Sequence, residues 1–111
     1  MVEFMRVNIK PLSVNQAWKG KRYKTNNYVR YERDLLLLLP KIEVPTSKLS
    51  LNIVVGFSSV ASDIDNFLKC FIDVLQKKYD FNDKMIYMLS VEKTIVKKGC
   101  EYIDFNISSV L

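Results

Sequence analysis

Leu49, Leu51, Ile53, Val55 and Phe57 alternate with Ser50, Asn52, Val54 and Gly56, the clearest strand signal in the chain. Beyond it the period changes. Ile64, Phe67, Leu68, Phe71, Ile72, Leu75 and Tyr79 recur at helical spacing, so a helix is expected from about Asn66 to Lys78. A strand that feeds a helix through a short polar junction fixes where the chain can go next. The elements that follow must return to the same sheet, and loops at the strand's end stand beside the start of the helix.

The remaining elements fit this frame. Glu3 to Ile9 is short, apolar-rich and bounded by Pro11, a strand. Pro11 to Asn27 carries no apolar period and reads as a loop. Tyr28 to Leu39 reads as a helix stopped by Pro40, with Tyr28, Tyr31, Leu35 and Leu38 as one stripe. Lys41 to Lys48 is a connection. Met85 to Val96 reads as a long strand, and Lys97-Lys98-Gly99-Cys100 as a turn. Glu101 to Ile107 closes a hairpin with Ile103, Phe105 and Ile107 inward. The order β-α-β-α-β-β predicts a single α+β domain over residues 1–111: a mixed sheet with two helices packed on it.

The junction itself reads Ser62-Asp63-Ile64-Asp65-Asn66-Phe67-Leu68-Lys69. Two carboxylates lie one residue apart where a helix N-terminus favours negative charge. At ~4 Å and an effective dielectric of about 20 they repel by roughly 4 kcal/mol. A divalent cation relieves that repulsion, and oxygen-only ligands suit Mg²⁺ or Mn²⁺. The same spacing also fits an Asx turn and helix cap with spare surface acids. Lys69 stands one helical turn from Asp65, where it serves either as a surface i,i+4 partner or as a cation beside a substrate. Asp73 lies two turns on, too far to share ligands with Asp65. A second acidic cluster, Asn82-Asp83, follows the helix, and the layout is expected to bring Asp83 back beside Asp63 and Asp65.

Composition narrows the chemistry. The 111 residues contain no histidine, which removes Ser-His-Asp and Cys-His nucleophile systems and His-ligated zinc. Cys70 and Cys100 match no zinc or redox spacing and read as free thiols. Net charge is +5, which favours phosphate-bearing partners. No run of apolar residues is long enough to span a membrane, and no signal-peptide pattern opens the chain, so a cytoplasmic protein is expected.

The cations concentrate in one place. Lys19, Lys21, Arg22 and Lys24 interleave with Trp18 and Tyr23, with Asn15 just upstream. Cations neutralise phosphates and flat rings stack on unpaired bases, the pattern of a nucleic-acid contact. A solvated loop whose Trp plugs a core edge has the same composition. Leu35 to Leu39 covers every side of its helix end, which predicts burial against a partner subunit as well as the core; roofing by the following loop is the alternative.

Asp63-x-Asp65-Asn66-x-x-Lys69, with Asp73-x-Leu75 and then Asn82-Asp83, resembles the RusA family of Holliday junction resolvases. Upstream, Pro11-x-Ser13-Val14-Asn15, Trp18 and the Arg22-Tyr23 region are similar to that family's N-terminal segment, and Lys97-Lys98-Gly99 to the approach to its last strand. The likeness runs from about residue 9 to 107. It implies a RusA-like homodimer that cuts four-way junction DNA by paired symmetric incisions with Mg²⁺ or Mn²⁺, in bacteria and often on phages or prophages. It implies Asp63, Asp65 and Asp83 as catalytic metal ligands and Lys69 as the catalytic lysine. Asp83 aligns only after a one-residue deletion. The chain also has Val60-Ala61-Ser62 where some members carry basic residues, so DNA contact would pass to Asn15, Trp18, Lys19, Lys21, Arg22 and Lys24. A non-catalytic basic DNA-binding module is the main alternative. A small phage interaction protein docking through its Leu-rich helix is a further one.

Overall fold

The computed structural model describes residues 3–19 and 23–110, without the side chain of Lys19. Strands β1 (Met5–Val7), β4 (Leu49–Phe57), β5 (Ile86–Ile95) and β6 (Tyr102–Ser109) form one sheet in the order β1-β6-β4-β5. β6 runs antiparallel to both β1 and β4, and β5 runs parallel to β4. The sheet is therefore mixed, as the sequence implies. The expected hairpin of β5 and β6 is not formed: β5 runs parallel along one edge of β4 and β6 crosses to the other, so β4 lies between them. Helices α1 (Val14–Ala17), α2 (Asn26–Leu38) and α3 (Leu68–Tyr79) make the fold α+β. A two-residue ladder joins β2 (Trp18–Lys19) to β3 (Tyr23–Lys24).

Among the described residues three α-helices are present where the sequence suggests two. The extra one, α1, is a single turn in the stretch expected to be loop. Ser13 caps it by accepting from the Asn15 N–H at 3.2 Å, a local signal too short for any period to reveal. α2 begins two residues earlier than expected because the Thr25 hydroxyl accepts from the Tyr28 N–H at 3.2 Å. α3 begins later, at Leu68, because residues 63–68 form two consecutive turns first. It ends where Asp80 adopts the left-handed region at φ 52°, a conformation Asp tolerates better than most residues.

The alternation in β4 resolves into two faces. Leu49, Leu51, Ile53, Val55 and Phe57 are buried, opposite Ile103, Phe105 and Ile107 of β6. Tyr28, Tyr31, Leu35 and Leu39 of α2 and its cap, with Phe67, Cys70, Phe71, Val74 and Leu75 of α3, complete this core. Phe71 meets Phe105 edge-on at 5.5 Å. Burial pushes the Cys70 thiol up to about 11, so it is an inert packing group.

The other face of the sheet is polar. Asn52 donates to Asn106 at 2.9 Å and accepts from Ser90 at 2.6 Å. Arg6 forks onto Asp104 at 2.8 and 2.9 Å while lying 3.9 Å over the Tyr102 ring. The Leu run divides unequally. Leu35 and Leu39 are core, whereas Leu37 is 79% and Leu38 49% exposed. Leu38, expected in the buried stripe, yields that place to Leu39, because the chain leaves the helix there and turns inward.

Candidate functional site

The acidic junction sits at the C-terminal end of β4 and is held from three sides. Phe67 is fully buried and meets Phe57 edge-on at 5.8 Å, which pins the loop's end to the strand's end. The Val14 N–H donates to the Asn66 carbonyl at 2.8 Å and docks α1 on the loop. Lys93, on β5, donates its ammonium to the carbonyls of Ser62 at 2.6 Å and Val60 at 3.2 Å. Within the loop, Asn66 N–H bonds the Asp63 carbonyl at 3.3 Å and Leu68 N–H the Asp65 carbonyl at 3.2 Å.

These bonds use the backbone and leave the two carboxylates free. Asp63 and Asp65 are exposed, and neither side chain has a hydrogen bond or ion pair among the described residues. α3 carries no side-chain cap, so the capping role open to these acids is not taken up. Lys69 is exposed, and the i,i+4 pair with Asp65 is not formed. Asp73 sits half-buried against Gln76 at 3.5 Å, on the helix rather than in the loop.

Asp83 stands elsewhere. It opens a 3-10 turn after α3, capped by Asn82, and its N–H donates to the Gln76 side chain at 2.8 Å. Leu49, where β4 begins, pairs with Ile86, so the turn lies beside the start of β4 and not its end. The twelve residues of α3 span about 18 Å and separate the two acidic clusters. Within one chain Asp83 does not return beside Asp63 and Asp65. The parallel β4-α3-β5 crossover is the reason: the helix must travel back along the sheet before β5 can start.

Among the described residues no group of three or more His, Cys, Asp or Glu is placed to hold an ion. Asp63 and Asp65 remain. Both are oxygen donors, the ligand type Mg²⁺ takes, one or two carboxylates beside several waters.

The basic aromatic segment is only partly described. Lys21, Arg22 and the side chain of Lys19 lie outside the described residues. Lys24 bonds Glu32 at 3.1 Å and lies 5.0 Å over the Tyr28 ring. Trp18 is half-buried, edge-on to Tyr28 at 5.4 Å, which spends much of its ring on the core edge. Tyr23 is 74% exposed. Asn15 is exposed and faces the acidic loop across a cavity of about 410 Å³.

Two residues near the junction escaped the sequence reading. Lys93 is the single cation of β5 and lies on the same face as Val91, a signal visible only once the strand's faces are known. Glu101 is buried at the head of β6 beside the same cavity. Its carboxylate is held below the ordinary range by its own N–H and the Ser58 hydroxyl, with the Gly99 N–H also donating.

No protein-family model matches the chain, and no curated protein matches it in sequence. No helix among the described residues is long and apolar enough to cross a membrane.

Proposed function

We propose that the chain is a Mg²⁺-dependent, structure-selective endonuclease that resolves four-way DNA junctions as a homodimer. The observation that carries the reading is the pair Asp63 and Asp65: two exposed carboxylates, one residue apart, without partners among the described residues, on a loop fixed by its backbone. They hold the cation and present it to a phosphate. The bound ion would supply an activated water and stabilise the leaving oxygen. Lys69, in the first turn of α3 and without a partner among the described residues, offsets charge gathering on the phosphate. Lys93 keeps the acidic loop on the sheet. The net charge of +5, doubled in a dimer, favours DNA.

Asp83 has no part in this site within one chain. The exposed Leu37 and Leu38 support self-association through α2. A monomer at micromolar concentration in light scattering would remove the dimer from the proposal.

The separation of Asp83 favours a second reading, a basic module that binds DNA without cutting it. Incubation with a mobile four-way junction and Mg²⁺, beside linear duplex, separates the two. The endonuclease nicks the junction selectively; the binding module nicks neither. Asp63→Asn should abolish cleavage and leave junction binding intact or tighter, because it removes negative charge beside the phosphates.

A further inference from the structure

We propose that the cavity between α1 and the acidic loop receives one unpaired nucleobase, whose edge is read by Asn15, Gln16 and Asn66. The inference rests on the nucleic-acid reading and adds a ligand site to it. The cavity, of about 410 Å³, is within the usual range for small-molecule sites.

The lining decides the ligand class. Three amide side chains border the cavity, and none has a hydrogen-bond partner among the described residues. Each amide presents one donor group and one acceptor. Such a wall suits a ligand with donors and acceptors side by side, as on a base edge. A phosphate offers acceptors only. It would find donors in the amides and in the hydroxyls of Ser13, Ser58, Ser59 and Ser62, but it would leave the amide oxygens unmatched and stand against the Glu101 carboxylate, with Lys10 as the single cation among the lining residues. Pro11 and Phe57 add apolar surface for the face of a ring.

The position fits as well. Asn66 follows Asp65 directly, and its carbonyl accepts from the Val14 N–H at the start of α1, so the loop that carries Asn66 and the acids is tied to the helix that carries Asn15 and Gln16. A base that enters must leave its stack, which costs least where a stack already ends, as at a branch point. The base neighbouring a phosphate at Asp63 and Asp65 would then be the one examined.

The test is titration of isotope-labelled protein, free of Mg²⁺, with adenosine, guanosine, cytidine and thymidine separately, and with inorganic phosphate. Side-chain amide resonances of Asn15, Gln16 and Asn66 should shift saturably with at least one nucleoside and not with phosphate. Asn15→Ala and Asn66→Ala, each with an otherwise unchanged backbone spectrum, should weaken that binding about tenfold. Two results overturn the inference: no saturable shift with any nucleoside at millimolar concentration, or equal shifts with phosphate. Because the titration needs no cleavage, nucleoside binding by a chain that cuts nothing would keep this site and sink the endonuclease. Cutting without nucleoside binding would do the reverse.

Discussion

The Lys93 ammonium and the Ser62 carbonyl, 2.6 Å apart, join the edge strand to the residue preceding Asp63. With the second bond to Val60, a single side chain ties β5 to the loop that carries both acids. A charged hydrogen bond contributes about 1.5–3 kcal/mol, less where water competes. Lys93→Met should cost about 1–2 kcal/mol in a denaturant melt. It should also speed amide exchange through residues 59–66 well beyond the rest of the chain. Lys93→Arg should recover part of both effects. Uniform exchange in the Met variant would show that Lys93 does not hold the loop.

Lys69 has no partner among the described residues. Lys69→Ala should change stability by less than about 0.5 kcal/mol. If the ammonium acts on the phosphate in the transition state, junction cleavage should fall by about 10²–10³ in kcat with little change in KM. Single-turnover cleavage with saturating junction checks this. An equal loss in binding and none in kcat would make Lys69 a simple phosphate contact.

Much of the sheet was legible in the sequence, and the reason is period. β4 and β6 bury one face each, so alternation marks Leu51, Ile53, Phe105 and Ile107 unambiguously. α3 buries one stripe and reads as clearly. The acidic loop was legible as a pair of acids at a junction, but its hold on the protein was not. Lys93 acts across the sheet, and a one-turn helix such as α1 leaves no periodic trace. Asp83 shows the limit of motif order: sequence proximity to a helix end does not say which end of the sheet that helix reaches. The parallel crossover decides, and it carries Asp83 away.

Glu32 accepts from Lys24 at 3.1 Å and Lys77 at 2.9 Å, tying β3, α2 and α3 together. Burial alone would raise its pKa, but the bonds from Lys77 and Lys24 outweigh it and the net shift is downward. A carboxyl with a depressed folded pKa adds stability above its unfolded value of about 4.3, and that stability fades as pH falls through the folded value. Glu32→Gln should therefore lose about 1 kcal/mol at neutral pH and nothing in strong acid. Thermal melts across pH 2 to 7 would show the two curves converging on the acid side. A constant offset would contradict the assignment.

Gly56 lies against Tyr102. A Cβ at Gly56 would stand 2.6 Å from Cε1 and 2.7 Å from Cδ1 of that ring. The ring cannot simply swing aside, since Arg6 covers it and its hydroxyl lies 2.9 Å from that of Thr94. Gly56→Ala should cost about 1–3 kcal/mol by overpacking. Gly56→Ala combined with Tyr102→Ala, which removes the ring, should show less than the sum of the two losses.

The central claim is that Asp63 and Asp65 hold a divalent cation without Asp83. Mn²⁺ titration followed by electron paramagnetic resonance tests it on wild type, Asp63→Asn, Asp65→Asn and Asp83→Asn in parallel. The account predicts a saturable site in wild type and Asp83→Asn, lost in the other two. Binding unchanged in Asp63→Asn, or lost in Asp83→Asn as fully as in Asp63→Asn, would contradict it.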